Sequence, residues 1–337
     1  MARNIEKNTV AMEFTESVKR NNRRDRITQA SSVIIVIALM ILFSVTNPSF
    51  LTLSNIQTIL SQIATPLVLA IGLTFVVLTG SIDLSIDGTM GLAGTCVGFL
   101  VANNQNDLNL GVLGVILAMM IGAVSGLFIG LVYVKGRIPS FMVSYGVSSV
   151  CTGIACSING AMPATITDPI FRGLALSRFL GLPYVTWIAL ALLVVAYIIQ
   201  ERTPFGRYLY AIGINEKIPK SAGVNVEKIK IEAFIWSGIC IGLAGVLGAA
   251  RLGYGTQLIG RGNQFPTLTA VVVGGTLFSG GKGGVINSLF GVLIVTILNN
   301  GLILWGVTPE MQQGVQGLII VVAIALTIMR NRKLIAK

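Results

Sequence analysis

Histidine is absent from the 337 residues of this chain, and charged residues are scarce. Without histidine the chain lacks the commonest metal ligand and the usual general base, so Ser–His–Asp and Cys–His sites cannot form. Charged residues make up only 11% of the chain, against roughly 25% in a soluble domain. That is too few to solvate the surface of a soluble fold. We therefore expect neither a catalytic nor a metal site, and we expect a membrane protein.

Cysteine is also infrequent, and its few positions are all apolar. Cys96, Cys151, Cys156 and Cys240 each lie inside an apolar segment. Cys151 and Cys156 would point to different faces of a helix because of their spacing. We expect four buried, inert thiols.

Hydrophobic residues form 53% of the chain, and they are arranged in long runs. A membrane-spanning helix needs about 20 apolar residues. Eight runs approach this length: 28–46, 56–78, 110–134, 141–160, 184–200, 231–250, 285–304 and the slightly shorter 313–329. Two further stretches, 88–100 and 268–278, are too short to span alone and adjoin glycine-rich loops, where broken helices need cover from protein or a cavity. The pattern predicts an all-α polytopic membrane protein of about ten transmembrane helices, two of them short or broken.

The positive charges predict how these helices are oriented. The first run follows a basic stretch and lacks a small-residue cleavage site, so we interpret it as an uncleaved helix. With the N-terminus in the cytoplasm, all but four of the 24 Lys and Arg residues fall in inner segments. We predict cytoplasmic termini, with a basic segment 1–27, one transmembrane domain 28–329 and a tail 330–337. The net charge of +11 then needs no nucleic acid to explain it.

Glycines recur at the spacing of closely packed membrane helices. Gly122, Gly126 and Gly130 form one stripe, and Gly238 and Gly242 form another. Four more, at positions 88, 91, 94 and 98, line the short third segment. Small residues let helix backbones approach in lipid, so we predict close packing, with a hinge as the alternative.

The longest inner connection, 201–230, combines charges of both signs with punctuating proline and glycine. Asn215 is a candidate N-cap, with Glu216 at the positive end of a short helix that Pro219 limits. Asn225 is the candidate cap of the following helix. The connection is either a docking surface for a cytoplasmic partner or an ordinary solvated loop.

Two glycine-rich breaks follow apolar runs, at 79–88 and 274–285, which hints at an internal repeat. In the first, Asp83 and Asp87 could line a path, cap the third helix or lie at the inner interface. In the second, Gly280–Gly283 lacks the flanking residues of a phosphate-binding loop, so the chain has no ATPase site.

Five stretches in order carry a resemblance to a known family: Gly80–Ser85, Lys135–Phe141, Thr203–Glu216, Ala270–Gly275 with 280–283, and Asn299–Leu302 with 306–307. Over about residues 50–328 the sequence resembles the permease subunits of bacterial ATP-binding-cassette importers, in the ribose, galactose, xylose and arabinose branch. It departs from the family pattern at 218–223, where the coupling helix would bend differently, and at the neutral stretch 263–266, which bears on the solute.

The resemblance implies a bacterial inner-membrane protein in which two permease subunits, identical or paralogous, form the pathway. Cytoplasmic cassette ATPases carrying ATP and Mg would dock on the inner loops, and a periplasmic or lipid-anchored binding protein would deliver solute; this chain itself would hold no cofactor. The implied coupling residues are Asn215, Glu216, Lys217, Lys220 and Gly223. The implied pathway or helix-break positions are Asp83, Ser85, Gly274, Gly275, Asn299 and Asn300.

The interpretation is a gated pathway at the centre of a permease dimer, carrying a neutral polyhydroxy solute past polar groups such as Gln57, Asn299 and Asn300. The main alternative is a proton-coupled secondary transporter, which needs a titrating carboxylate inside the membrane. Asp83, Asp87 and Glu232 are the candidates for that role. A channel is the third possibility.

Overall fold

The computed structural model of the protein describes residues 32–160, 162–308 and, beyond those, 310–312, 314–315, 317–319 and 321. The helices are α1 Ser32–Thr46, α2 Leu53–Gln62, α3 Ala64–Leu78, α4 Ile86–Leu100, α5 Val112–Gly136, α6 Ser140–Asn159, α7 Pro169–Leu176, α8 Tyr184–Arg202, α9 Pro204–Ile214, α10 Lys217–Ser221, α11 Val226–Leu252, α12 Gln264–Val273 and α13 Val285–Leu304. A single 3-10 turn, Gln257–Ile259, precedes α12. The segment 1–27, the tail 330–337 and most of the run 313–329 lie outside the described residues.

Six stretches of the described chain are long and apolar enough to cross a membrane: Leu53–Leu78, α5, α6, α8, α11 and α13. The shorter apolar helices α1 and α4 accompany them. The predicted run 285–304 coincides with α13, whereas the stretch predicted at 268–278 is helical only as α12, which ends at Val273. The prediction of an all-α polytopic membrane protein is confirmed at this level.

The run predicted at 56–78 is interrupted near its start. Helix α2 ends at Gln62 and α3 begins at Ala64, with Ile63 between them. Pro66 explains the interruption, because it has no N–H to donate to the carbonyl of Gln62. The two helices still form one stretch of 26 residues.

Helices α5 and α11 pack backbone against backbone along the predicted glycine stripes. A Cβ atom on Gly122 would collide with the carbonyl oxygen of Gly238, and one on Gly126 with that of Phe234. Gly242 also lies close to α5, because a Cβ atom there would be 2.8 Å from the carbonyl oxygen of Met119. The prediction of close packing is confirmed for this pair, since any side chain at these positions would force the helices apart.

The glycines of α4 face irregular backbone as well as helices. A Cβ atom built on Gly91 lies 2.5 Å from the carbonyl oxygen of Gln257, and one on Gly98 lies 2.6 Å from the Cα of Gly255. The segment 253–263, which is non-helical apart from its 3-10 turn, therefore runs along α4. Helix α12 begins only where this segment ends.

Short strands close one end of the helical bundle. Strand β1 (Ala164–Thr165) pairs antiparallel with β4 (Tyr254–Gly255), which leads into the segment that runs along α4. Strands β2 (Arg178–Phe179) and β3 (Leu182–Pro183) form a hairpin after α7. Asp168 caps α7 by accepting hydrogen bonds from the N–H groups of the two residues after Pro169, at 2.9 and 3.0 Å.

The cysteines only partly follow the expectation of buried thiols. Cys151 and Cys240 are buried, and Cys96 is half-buried. Cys156 is exposed, which corrects the prediction: its spacing from Cys151 places it on a different face of α6 from that buried thiol. All four thiols are free.

Candidate functional site

The connection 201–230 folds into the end of α8, the helices α9 and α10, and the start of α11. Thr203 caps α9, since its Oγ1 accepts a hydrogen bond from the N–H of Gly206 at 3.3 Å. Before α10 the side chain of Asn215 accepts a hydrogen bond from the N–H of Lys217 at 3.0 Å. The N-cap position itself is Glu216, so Asn215 caps the helix from one residue further upstream than predicted. Asn225 caps α11 through the N–H of Lys228 at 3.0 Å.

Helix α10 presents an exposed surface of mixed character. The predicted coupling residues Asn215, Glu216, Lys217, Lys220 and Gly223 are all exposed. Two large apolar side chains beside them, Ile214 and Ile218, are 69% and 60% exposed. Gly223 ends the helix with a φ of 81°, a conformation that glycine adopts without strain. Exposed apolar side chains ringed by charge are typical of a surface that a partner covers.

Three glycine-rich turns meet directly behind α10. The N–H of Gly281 donates a hydrogen bond to the carbonyl of Leu78 at 2.9 Å, which joins the two predicted breaks to each other. Gly213, at the end of α9, packs against both of these atoms so closely that a Cβ atom there would collide with them. The end of α9 is therefore in direct backbone contact with both breaks.

A buried polar network also ties α8 and α9 to the start of α13. Gln200 donates a hydrogen bond to the hydroxyl of Tyr210 at 2.8 Å, and Tyr210 donates to the carbonyl of Gly283 at 2.9 Å. The side-chain oxygen of Gln200 accepts from the N–H of Val285 at 2.8 Å. Sequence reasoning did not single out either side chain, although Tyr210 lies within the stretch that carries the family resemblance.

Serines of α6 accept hydrogen bonds from the extended backbone before α4 and from the first turn of α4. The side chains of Ser140, Ser144 and Ser148 accept hydrogen bonds from the N–H groups of Ile82, Leu84 and Gly88, at 3.0, 2.8 and 3.0 Å. Non-helical backbone inside a membrane protein must find such partners. The signal in the sequence was a serine at every fourth position of α6, which places the three on one face.

Asp83 is fully buried in this extended segment. One carboxylate oxygen accepts a hydrogen bond from the N–H of Ser85 at 2.9 Å, and the other accepts from the hydroxyl of Ser237 on α11 at 2.9 Å. Ser85 is itself buried and precedes the first residue of α4. These contacts are structural: the carboxylate holds the turn before α4 and fastens it to α11.

For Asp87 the sequence left three roles open: lining a path, capping a helix or lying at the inner interface. The structure shows a helix cap. The Asp87 carboxylate accepts hydrogen bonds from three successive N–H groups at the start of α12: Gly262 at 3.0 Å, Asn263 at 3.1 Å and Gln264 at 2.8 Å. Asp87 stands in the first turn of α4, so it caps the other broken helix and not its own. The two short helices thus begin side by side, with one carboxylate between them.

The predicted pathway residues near α13 have different surroundings. Asn300 is buried, and its side-chain amide exchanges two hydrogen bonds of 2.9 Å with the amide of Asn55, so it fastens α13 to α2. Asn299 instead lines a cavity of about 280 Å³ together with Asn263 and Thr296. No charged side chain among the described residues lines this cavity.

The remaining candidates have structural positions. Gly274 lies against the backbone of Asn287 on α13, and Gly275 turns the chain with a φ of 110°. The side chain of Gln57 lies beside Gly181 in the β2–β3 hairpin. Glu232, one of the carboxylates considered for proton transfer, forms an ion pair of 3.7 Å with Lys228 on the surface of α11.

Apolar spanning helices, two broken helices held by internal caps and a capped helix exposed at one end define a polytopic membrane permease. Comparison with known proteins gives the family. The family described as the permease component of the branched-chain amino acid transport system matches residues 55–324, and the chain belongs to it.

Its relatives include importer permeases of two bacteria. The chain is 32% identical to the ribose import permease protein RbsC of Escherichia coli (strain K12), over 92% of this chain and 97% of that protein. It is 36% identical to RbsC of Bacillus subtilis (strain 168), over 86% and 89%. It is 31% identical to the galactose/methyl galactoside import permease protein MglC of Escherichia coli (strain K12), over 87% and 91%. No solved structure matches the chain.

The predicted family is therefore confirmed. The chain is the permease component of an ATP-driven importer, a transport subunit whose ATPase is a separate polypeptide. Family membership removes the proton-coupled transporter and the channel from consideration. The buried, doubly bonded carboxylate of Asp83 and the surface ion pair of Glu232 agree with that outcome, because neither faces the cavity beside Asn299.

Proposed function

We propose that this chain forms, with a second permease subunit, the inner-membrane pathway of an importer for a neutral sugar or a similar polyhydroxy solute. The observation that carries the proposal is the capped, exposed helix α10, whose neighbouring turn at Gly213 touches both helix breaks. A displacement of α10 by a partner in the cytoplasm would therefore reach the helix breaks inside the membrane through backbone contacts. ATP and Mg would be bound by the partner ATPase and not by this chain.

The docking surface for the ATPase is α10 together with residues 214–216 before it and Gly223 after it. Ile214 and Ile218 would enter an apolar recess, and Asn215, Glu216, Lys217 and Lys220 would form the polar rim around it. Gly223 would let the chain turn away after the helix. An exposed isoleucine is stable at such a position when a partner covers it.

The solute class rests on two observations. The relatives named above import ribose, galactose and methyl galactoside, which are neutral and rich in hydroxyl groups. The cavity of about 280 Å³ is lined by the side chains of Asn263, Thr296 and Asn299, which can exchange hydrogen bonds with hydroxyl groups. An amino acid would bring an ammonium and a carboxylate group, and the described lining has no charged side chain to pair with either.

The membrane arrangement completes the proposal. We place ten spans in the inner membrane with both termini in the cytoplasm, so that α10 faces the ATPase and the β1–β4 end faces a periplasmic or lipid-anchored binding protein. In a variant with Cys156 replaced by Ser, a cysteine at Gln105 should react with an impermeant maleimide in intact cells. A cysteine at Lys220 should react only after the membrane is permeabilised. Equal reactivity of the two positions in intact cells would contradict the arrangement.

Ile218→Glu tests the docking surface. The tagged chain would be purified from membranes of its own source cells, and the co-purifying ATPase would be quantified. The matched control is Ile170→Glu, which places the same charge on a residue that is 83% exposed in α7, at the other end of the molecule. We expect Ile218→Glu to lose about tenfold or more of the bound ATPase, as for a central apolar contact, and the control to keep it. Full ATPase recovery with Ile218→Glu would remove α10 from the interface.

A further inference from the structure

Lys230, in the first turns of α11, makes two polar contacts that connect α10 to the break before α4. Its ammonium group forms an ion pair with the carboxylate of Glu216, the residue immediately before α10. It also donates a hydrogen bond of 3.1 Å to the hydroxyl of Tyr133 on α5. The Tyr133 hydroxyl accepts a second hydrogen bond, of 3.1 Å, from Ser81 at the start of the extended segment. Four side chains thus form a continuous polar path from α10 to the break.

The exposure of these groups changes along the path. The side chain of Glu216 is 53% exposed, whereas that of Lys230 is 10% exposed. A buried ammonium group that lost its carboxylate would keep only one neutral partner, so the pair resists separation. The path therefore links a group that a cytoplasmic partner can reach with groups that are mostly withdrawn from solvent.

The same helix holds the break at a second point. Ser237, seven residues after Lys230 and so on the same face of α11, donates its hydroxyl hydrogen to Asp83. Displacement of α10 that pulls on Lys230 would therefore move α11 and the break together. A cleft of about 330 Å³ beside the pair, lined in part by Arg137, Glu216 and Lys230, leaves room for the ammonium group to change position.

We propose that Lys230 is a positioning residue that transmits movement of α10 to the break at Ser81–Asp83, through its simultaneous contacts with Glu216 and Tyr133. This inference rests on the proposed docking of an ATPase on α10, and it assigns the internal half of that connection. Lys230 neither binds the solute nor touches the ATPase. It determines how much of a displacement of α10 is transmitted to the start of the broken helix α4.

Lys230→Met tests the assignment, with Lys228→Met as the matched control. Lys228 lies on the same helix, but its side chain is 71% exposed and pairs only with Glu232. The tagged chain and its co-purifying subunits would be reconstituted in proteoliposomes with D-ribose, D-galactose, D-xylose or L-arabinose, whichever the native chain carries. The readout is the number of solute molecules imported per ATP hydrolysed, measured beside yield and the amount of bound ATPase.

We expect Lys230→Met to lower this ratio about tenfold, within the usual range of coupling between sites, while bound ATPase and basal hydrolysis stay unchanged. Lys230→Arg keeps the positive charge and can donate to both Glu216 and Tyr133, so it should restore most of the ratio. Tyr133→Phe removes only the hydroxyl, and we expect it to lower the ratio in a protein of native yield. It therefore serves where Lys230→Met fails to fold.

Three outcomes overturn the proposal in distinguishable ways. A native ratio in Lys230→Met or in Tyr133→Phe, with ATPase bound, removes the positioning role and leaves the proposed function intact. An equal fall in Lys228→Met would attribute the effect to surface charge. Absence of any ATPase from the native preparation would overturn the proposed function, and this inference with it.

Discussion

Asp87 and Gln264 join the two broken helices, through a hydrogen bond of 2.8 Å from the backbone N–H of Gln264 to the carboxylate of Asp87. The side chain belongs to α4 and the N–H group to the start of α12, so each short helix contributes one partner. Both helices present their positive ends at this point, and a carboxylate stabilises such ends. The relationship explains why neither helix needs to reach the full length of a membrane span.

Removal of the Asp87 carboxylate should destabilise the protein. Asp87→Ala leaves three N–H groups without their partner. The N–H of Gly262 is exposed and can bond to water, whereas that of the buried Gln264 costs about 1–3 kcal/mol when unpaired. Asp87→Asn keeps one oxygen acceptor, so its stability should lie between those of the native protein and Asp87→Ala. The measurements are yield and thermal stability in detergent, with Asp107→Ala as the control because Asp107 is exposed in the loop after α4. Equal stability of all three variants would show that Asp87 does not hold α12.

Asp83 should tolerate an amide but not a methyl group. In Asp83→Asn the side-chain oxygen can still accept from Ser85, and the new NH₂ group can donate to the hydroxyl of Ser237. In Asp83→Ala both partners lose their bonds. The free energy of unfolding should then fall by about 2 kcal/mol or more, and the yield should fall with it. Uptake by reconstituted Asp83→Asn protein is the decisive measurement. Native-like folding with no uptake would show that the carboxylate acts in transport itself and is not only structural.

Long apolar runs predicted the spans with good accuracy because burial in lipid is decided by local composition. The run 285–304 coincides with α13, and the bounds predicted for α6 differ by one residue at each end. Stripes such as Gly122 and Gly238 likewise identified a packed helix pair from spacing alone. These features depend on residues close together in the sequence, which is why they could be predicted.

The features that were missed depend on residues far apart in the sequence. No local pattern shows that Asp87 caps a helix about 175 positions later, or that Asn300 pairs with Asn55. The irregular segment 253–263 has no periodicity, and its course along α4 follows from glycines on the other helix. The candidate site was therefore predicted in its exposed half, at α10, and not in the buried contacts behind it.

The glycine stripe offers a test of helix packing that leaves every polar group unchanged. Gly122→Ala would place a methyl group on the carbonyl oxygen of Gly238, so α5 and α11 would have to separate. We expect a clear loss of folded protein in detergent, in the range of about 1–3 kcal/mol that overpacking costs. Gly153→Ala is the control, because nothing in the described chain lies within 4 Å of a Cβ built there. A native yield for both variants would contradict the close approach.

The last prediction concerns the serines of α6, whose side chains accept hydrogen bonds from backbone N–H groups. Ser144 accepts a hydrogen bond from the N–H of Leu84 at 2.8 Å, in the extended segment where no helical carbonyl is in reach. Ser144→Ala leaves that N–H unpaired, which should cost about 1–3 kcal/mol, whereas Ser144→Thr keeps the hydroxyl and should restore most of it.

Ser149→Ala is the matched control, since Ser149 is exposed on the same helix and, among the described residues, bonds only to the carbonyl of Tyr145 at 3.2 Å. Hydrogen exchange at Leu84 in detergent is the direct measurement: it should accelerate in Ser144→Ala and stay slow in Ser149→Ala. Unchanged exchange in Ser144→Ala would mean that another group satisfies this backbone, and that the α6 serines do not hold the break.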